Sequence, residues 1–394
     1  MTMPLRGLKV LDFSTLLPGP YATLMLADMG AEVLRVESPT RPDLVRALPP
    51  QDASGQSAAH SYLNRGKKAI AIDLKKPEAL EIVKKLVQEF DIVVEQFRPG
   101  VMDRLGLGFE ALQALNPKLI YCSITGYGQT GPLKDRAGHD INYLSLSGSV
   151  DYSRRDGERP TPNGLQIADI AGGSHHAVMG VLAAVIERQT QGDAFQARHI
   201  DISMTDCVFS MNAMFASGYL GGNEKPEAEK TMLNGGSFYD YYETSDGRYM
   251  SVGSLEPQFL MQFCQALGLM DVIAKAGSQK PEEMAEFKQA VAKQFAAHDF
   301  EYWINAFEKL DCCVEPVLSF AEACDKPLAQ ERNWTTLVKD TKGQTITQLA
   351  NPIFKPQTET FAGSVIGSHT KEVLEEIGFT DSDIESLKQQ KVVK

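Results

Sequence analysis

The sequence predicts an α/β protein with a parallel sheet in a large lobe and a second, smaller α+β lobe. Over the first two hundred residues, short apolar segments alternate with amphipathic helical segments, which is typical of βαβ units covered on both faces. After His176 this alternation gives way to a hairpin and several helices. The chain has 394 residues, more than one ordinary core accommodates, so two lobes are expected.

The elements of the large lobe follow in order from the apolar runs. A helix at 21–29 ends before Gly30, and a second helix at 77–90 lies between two strands. Buried strands are predicted at 9–13, 32–37, 69–74, 91–95 and 119–124. Such a sheet is Rossmann-like, and we expect it to occupy residues 1–200, rejoined by 346–394.

The rest of the chain predicts the smaller lobe and its connections. Asp246-Gly247 marks a hairpin turn between strands at 239–244 and 249–253. Helical spacing is found at 178–188, 206–219, 258–267, 281–307, 370–377 and 381–389, and a short strand at 200–204. Thr380, with Asp383 three residues later, caps the last helix. We expect a linker helix and loop at 201–232, the small α+β domain at 233–315 and a return linker at 316–345.

Composition excludes several classes of function. The net charge is −12 and no Lys/Arg-rich run exists, so a general nucleic-acid partner is not expected. No apolar run approaches the roughly 20 residues of a membrane span, and strand sequence by Leu8 leaves no room for a signal peptide. Six scattered cysteines, with Cys312 and Cys313 adjacent, predict neither a metal site nor disulfides, and favour a reducing, cytoplasmic location.

One group of glycines has the spacing of the dinucleotide-binding motif. Gly126, Gly128 and Gly131 have the Gly-x-Gly-x-x-Gly spacing after a strand, but Pro132 and the residues after it break the helix that such a site requires. The first strand-to-helix turn, at 14–20, lacks the three glycines. We therefore expect no nicotinamide site.

Two residues predict proton-transfer chemistry. His139 stands in Gly-His-Asp-Ile-Asn-Tyr, and histidine exchanges protons near neutral pH. Asp169 lies in a glycine-rich, apolar segment, where desolvation can raise the pKa of a carboxyl group towards the same range. Either residue alone is more often a loop or capping residue, but placed on opposite sides of one carbon they remove and return a proton.

Several segments together resemble the family III CoA-transferase superfamily (CaiB/BaiF type), and within it the α-methylacyl-CoA racemases. The resembling segments are 5–12, 27–33, 97–101, 104–106, 124–132, 138–143, 246–249, 256–259 and 367–374. The resemblance implies a racemase or epimerase of 2-methylacyl-CoA thioesters that acts through an enolate and needs no cofactor beyond the coenzyme A (CoA) of its substrate. It also implies an interlocked homodimer, with the active site between the large lobe of one subunit and the small lobe of its partner.

Two other functions remain open. The alternative is a CoA-transferase, in which Asp169 would be a nucleophile that forms a mixed anhydride and then an aspartyl-CoA thioester. The third is an acyl-CoA-binding protein without catalysis. By resemblance, three features favour the racemase: His139 in its motif, residues 254–259 where formyl- and oxalyl-CoA transferases carry glycines, and Leu17 where those enzymes tend to have glutamine.

The catalytic assignment combines chemistry with the resemblance. His139 and Asp169 are the two acid/base groups, and Asp140 helps to keep Asp169 protonated because neighbouring carboxylates disfavour double ionisation. The Asp169 backbone N–H is the expected oxyanion donor. Glu256 is expected to hydrogen-bond the far nitrogen of His139, although a residue before Pro257 can also simply cap a helix.

The CoA moiety needs cations for its phosphates and an apolar channel for its thioester arm. By resemblance, Arg98, Gly100 and Arg104 belong to the CoA-binding stretch, and Lys67 is a weaker candidate. Tyr143 lies one turn after His139 if that segment is helical, so it is expected to line the thioester channel.

Overall fold

The computed structural model describes residues 3–354 and 360–394, which form two compact units. The first contains Met1–Ser147, Asn163–Met211 and Leu328–Lys394, and the second contains Gly148–Pro162 and Asn212–Pro327. Residues 148–162 thus group with the second unit, whereas the sequence analysis kept them in the large lobe.

The first unit is built on a six-stranded parallel sheet, as expected for a Rossmann-like fold. Its strands are β1 (Lys9–Asp12), β2 (Glu32–Glu37), β3 (Lys68–Ala71), β4 (Ile92–Glu95), β5 (Ile120–Thr125) and β6 (Arg198–Ser203). Their order is β3-β2-β1-β4-β5-β6, and every pair is parallel. The strand order therefore reverses between β1 and β4, where the carboxyl ends of the strands leave a crevice for a ligand.

Helices cover both faces of this sheet. They are α1 (Pro18–Asp28), α2 (Ala58–Leu63), α3 (Pro77–Glu89), α4 (Val101–Arg104), α5 (Phe109–Gln113), α6 (Asp140–Leu146), α7 (His176–Gln191) and α8 (Met204–Ser210). Pro18 begins α1, where the fixed φ of proline suits a first helical turn. The apolar face of α3, with Ile82, Val83 and Leu86 fully buried, packs into the core on one side of the sheet.

The second unit has its own core. It contains α9 (Ala213–Gly222), β7 (Asp240–Glu243), β8 (Tyr249–Val252), α10 (Pro257–Leu267), α11 (Pro281–Phe295), α12 (Phe300–Phe307), β9 (Val314–Pro316) and α13 (Phe320–Asp325). The three strands form an antiparallel sheet, β7-β8-β9, which confirms the predicted hairpin and adds β9. Phe263, Phe287 and Phe295 are fully buried beside it.

Two of the predicted long helices were wrong, because each is two helices. The predicted helix 206–219 breaks between α8 and α9 at Asn212, whose side chain accepts a hydrogen bond from the Tyr152 hydroxyl at 2.6 Å. The predicted helix 281–307 breaks before Asp299, whose carboxylate accepts the Tyr302 N–H at 2.9 Å and starts α12.

The C-terminal segment returns to the first unit. It forms α14 (Pro327–Arg332), β10 (Thr335–Lys339), β11 (Thr345–Leu349), α15 (Thr370–Glu376) and α16 (Asp381–Gln389). The antiparallel pair β10-β11 was not predicted. Thr380 and Asp383 cap α16 reciprocally, as predicted.

One continuous helical stretch, Ala168–Ala194, is long and apolar enough to cross a membrane by length and composition alone. It packs against β5 and β6, and a Cβ atom at Gly180 would lie 2.9 Å from the Ile200 side chain. Such close packing on a sheet is that of a core helix.

Candidate active site

A cavity of about 470 Å³ opens at the carboxyl ends of β1, β4 and β5. Residues directly after each of these strands line it, so it occupies the crevice where the strand order reverses. His139, Tyr143, Asp169 and Arg98 all line this cavity. The fold therefore brings together residues that the sequence analysis selected from segments seventy residues apart.

Asp169 stands on an unusually wide helical turn. Residues Ala168–His175 form a π-helix that continues directly into α7, and π-turns occur often at functional sites. The turn fits closely against its neighbours, because a Cβ atom at Gly172 would lie 3.0 Å from the Met204 carbonyl oxygen. The Ser174 hydroxyl donates to the Pro18 carbonyl at 2.7 Å, which fixes the turn to α1.

Burial and the neighbouring Asp140 together set the electrostatics of Asp169. Burial, together with the smaller effect of the nearby Asp140 carboxylate, raises the pKa of the Asp169 carboxyl to about 7. Asp140 Oδ1 also accepts the backbone N–H groups of Ala168 at 2.7 Å and of Asp169 at 3.1 Å. Asp140 therefore holds the backbone at Asp169 and also opposes ionisation of the Asp169 carboxyl.

The same contact corrects the prediction for the oxyanion donor. The Asp169 N–H was expected to be free for a substrate oxygen, but it donates to Asp140 in this structure. A substrate oxygen can use this N–H only by displacing the Asp140 carboxylate.

His139 precedes the first residue of α6 and is exposed. Its backbone N–H donates to Asn142 Oδ1 at 3.0 Å, an arrangement that fixes the start of the helix. His139 lines the same cavity as Asp169.

Tyr143 lies one turn after His139 on α6, and its ring is buried. A Cβ atom at Gly126 would lie 2.3 Å from the Tyr143 ring and one at Gly138 would lie 2.6 Å from it, so only glycine fits at both positions. The Tyr143 hydroxyl donates to the Gly138 carbonyl at 2.5 Å, and burial raises the pKa of that hydroxyl to about 12. Tyr143 lines the cavity as expected, but its hydroxyl is committed to the backbone beside His139.

Three cations line the cavity. Arg98 was predicted from the resemblance, whereas the sequence analysis gave no role to Lys134 and Arg136. Within residues 3–354 and 360–394, none of the three forms an ion pair with a carboxylate. The sequence did contain an indication that Lys134 and Arg136 lie near the site, because both come only a few residues before His139.

Gly100 and Arg104 lie beside the cavity but do not line it. Gly100 has φ +76° and precedes α4, a conformation that favours glycine. Arg104 is exposed at the end of α4, and a Cβ atom at Gly100 would lie 3.4 Å from its guanidinium.

Lys67 is not placed to bind CoA, so this prediction was wrong. Its ammonium group is buried and bonds to the Pro20 carbonyl at 2.8 Å, the Thr23 hydroxyl at 2.7 Å and Asn64 Oδ1 at 3.2 Å. Burial lowers the pKa of Lys67 to about 8. Lys67 therefore holds α1 and α2 to the sheet.

Glu256 lies in the second unit, directly before α10. Its side chain is exposed and does not hydrogen-bond the first turn of that helix, so a simple capping role does not account for it.

The glycine pattern at 126–131 forms turns, as expected. Gly128 and Gly131 have φ +82° and +88°, and the Gly128 N–H donates to the Thr125 hydroxyl at 2.9 Å. The next helix begins only at Asp140, so no helix N-terminus comes directly after the glycines. Among the residues that the structure describes, no group of three or more His, Cys, Asp or Glu side chains is arranged to hold a metal.

Known proteins resemble this chain over nearly its whole length. Residues 5–364 match the model of CoA-transferase family III. The chain is 34% identical to human alpha-methylacyl-CoA racemase over 100% of this chain and 98% of that protein. It is 31% identical to succinate–glutarate CoA-transferase of Agrobacterium fabrum, over 95% of this chain and 96% of that one. A crystal structure of a CaiB/BaiF family protein from Brucella suis aligns with TM-score 0.81 and 27% identity, covering 96% of this chain and 100% of that chain. This chain belongs to CoA-transferase family III.

Proposed function

We propose that this protein is a racemase or epimerase of 2-methylacyl-CoA thioesters. The observation that carries the proposal is that His139 and Asp169 line one cavity while the pKa of Asp169 is raised to about 7. A carboxyl group with this pKa exists in both protonation states at neutral pH, which a reversible acid/base requires.

The reaction follows from the chemistry of a thioester. Its carbonyl acidifies the neighbouring α-carbon, because loss of that proton gives an enolate with charge on the thioester oxygen. One group, His139 or Asp169, removes the proton from one face, and the other group delivers a proton to the opposite face. The two groups exchange roles in the reverse direction, so no net proton is consumed.

Transfer of CoA is the second candidate, since CoA-transferases are nearly as similar in sequence as racemases. In that reaction Asp169 attacks an acyl-CoA as a carboxylate nucleophile. Burial and the Asp140 charge both oppose ionisation of Asp169, which favours the role of acid/base over that of nucleophile. The presence of His139 beside the same cavity favours the racemase further.

Arg98, Lys134 and Arg136 are the proposed partners of the CoA phosphates. They line the cavity without carboxylate partners among the described residues, so their charges are available to an anion. CoA enters as part of the substrate, and the proposed chemistry uses only side chains of the protein.

We also propose that the active protein is a homodimer in which a second copy supplies Glu256. The support lies in α9, an apolar helix with no buried residue in the single chain. Its Met214 and Leu220 side chains are 63% and 74% exposed, and burial of such groups favours association. In this arrangement Glu256 would orient the His139 imidazole as carboxylates orient other catalytic histidines.

Chemical trapping separates the two candidate reactions. The protein is incubated with an acyl-CoA and then with hydroxylamine or borohydride, and peptides containing Asp169 are examined by mass spectrometry. The racemase predicts unmodified Asp169, because no covalent intermediate forms. A hydroxamate or alcohol at Asp169 that is absent without acyl-CoA would instead establish CoA transfer.

A further inference from the structure

Polar side chains on three neighbouring strands form a row next to the loops that line the cavity. Glu95 ends β4, Ser123 lies opposite it on β5, and His199 lies on β6. The Ser123 oxygen is 2.9 Å from His199 Nε2, and the Ser123 hydroxyl bonds to the Glu95 carboxyl. Glu95 and Ser123 are 4% and 1% exposed, so these two side chains lie in the interior of the first unit, whereas His199 is exposed on the edge strand β6.

Glu95 also fixes the loop that follows β4. Its Oε2 accepts the backbone N–H of Phe97 at 2.8 Å, which closes a tight turn immediately after the strand. The two neighbouring loop residues reach the cavity. Gln96 Oε1 accepts the Gly19 N–H at 3.0 Å at the start of α1, and Arg98 is one of the residues that line the cavity.

We propose that Glu95 is a positioning residue for CoA: by holding the Phe97 N–H it sets the loop that carries Arg98, and its ionisation makes the affinity for CoA depend on pH. This inference rests on the proposed function, because it takes CoA as the anion that Arg98 binds. Glu95 itself touches no substrate.

The groups that face Glu95 determine when it ionises. Ser123 on β5 stabilises the carboxylate, whereas Asp103 on α4 and Asp201 on β6 oppose it, and His199 lies beyond Ser123. Burial is the largest influence and raises the pKa of Glu95 to about 7. A carboxylate accepts a hydrogen bond more strongly than a carboxylic acid does. The turn is therefore held more tightly, and CoA bound more strongly, as the pH rises through the pKa of Glu95.

Calorimetric titration with CoA itself tests this inference without relying on catalysis. Dissociation constants are measured from about pH 5.5 to about pH 8.5 for the wild-type protein and for Glu95→Gln, whose amide keeps an acceptor for Phe97 but does not titrate. The phosphate groups of CoA titrate identically in both experiments. We expect the affinity of the wild type to rise roughly three- to tenfold more than that of the variant across this range.

Two further variants make the result specific. Ser123→Ala removes a hydrogen bond that stabilises the carboxylate, so the midpoint of the pH effect should move to higher pH. Glu89→Gln removes an exposed carboxylate at the end of α3 and should follow the wild-type profile. If the wild type and Glu95→Gln gave parallel profiles, the inference would be wrong.

The outcomes also separate this inference from the proposed function. If CoA did not bind the wild-type protein, both the proposed function and the role of Glu95 would be wrong. Binding with parallel pH profiles would overturn only the role of Glu95. If the pH profiles of the wild type and Glu95→Gln diverged and Asp169 were labelled covalently in the trapping experiment, the role of Glu95 would be supported. The reaction would then be CoA transfer instead of racemisation.

Discussion

At the scale of single residues, Asp140 acts on Asp169 in two ways at once. Its Oδ1 accepts two backbone N–H groups and so fixes the turn on which Asp169 stands. Its charge, added to burial, raises the pKa of Asp169 to about 7. The hydrogen bonds and the charge can be separated by substitution, because an amide keeps the acceptor and loses the charge.

The variant Asp140→Asn should shift the pH dependence of racemisation. In the direction where Asp169 is the base, the wild-type rate should rise with pH through about 7. In the opposite direction, where Asp169 donates the proton, the rate should fall over the same range. Loss of the Asp140 charge lowers the pKa of Asp169, so both midpoints should move to lower pH. Initial rates from each enantiomer measure them.

The control for this experiment is Asp271→Asn, an exposed carboxylate of the second unit. It should leave both midpoints unchanged. Midpoints that stay in place in Asp140→Asn, or move to higher pH, would contradict the assignment of Asp169 as the titrating acid/base.

At this scale the sequence predicted which residues could act as acids or bases, but not which side chains would be buried. His139 and Asp169 were predicted from the pKa range that each residue type can reach, and both line the cavity. Lys67 was predicted as a weaker CoA-binding candidate because of its charge, but a lysine just before a strand can be either exposed or buried. Only the packing of α1 against α2 shows that its ammonium group is enclosed.

At the scale of elements, the site depends on close contacts at glycines. The loop after β5 presents Gly126 to the ring of Tyr143, and the Tyr143 hydroxyl holds the Gly138 carbonyl directly before His139. The position of His139 therefore depends on the absence of a side chain at Gly126.

Gly126→Ala should lower both stability and activity. The new Cβ atom would lie 2.3 Å from a buried ring, so Tyr143 must move and carry the backbone beside His139 with it. Overpacking of this kind costs about 1–3 kcal/mol, and displacement of a catalytic base reduces the rate by roughly tenfold or more. Thermal unfolding and kcat are the measurements.

Gly164→Ala is the matched control, because nothing lies within 4 Å of a Cβ atom at that position. It should unfold within about 0.5 kcal/mol of the wild type. Equal stability and activity of the two alanine variants would show that the Tyr143 ring does not restrict this loop.

The elements show why periodicity predicted helices better than it predicted their interruptions. Apolar spacing located α3, α10 and α16 nearly to their ends. The same spacing runs through the break at Asn212 and through the start of α12 at Asp299, where single side-chain hydrogen bonds decide the conformation. The π-helix at Ala168–His175 depends on contacts with α1 and α8, which a local pattern does not contain.

At the scale of the whole molecule, the predicted class of fold is confirmed, since the sheet has the strand order of a Rossmann-like fold and lies in a separate compact unit. The sequence could not predict which residues the proposed second copy would cover. The exposed apolar helix α9 is the feature of the structure that supports such a copy.

Hybrid dimers test whether Glu256 acts across subunits. His139→Ala and Glu256→Ala are each expected to lose activity by about tenfold or more. Co-expressed with different affinity tags, the two variants form hybrids. If His139 of one subunit works with Glu256 of the other, each hybrid contains one intact site and should recover about half of the wild-type activity. Hybrids as inactive as either variant alone would mean that both residues act within one chain.

The most direct test of the central claim is α-proton exchange in deuterium oxide. One stereoisomer of a 2-methylacyl-CoA is incubated with the protein, and deuterium uptake and stereochemistry are followed together. We predict that deuterium enters as chirality is lost, and that His139→Ala and Asp169→Ala both lose racemisation while Asp271→Asn retains it. Absence of exchange by the wild-type protein across several acyl chains would contradict the two-base racemase and favour CoA transfer through Asp169.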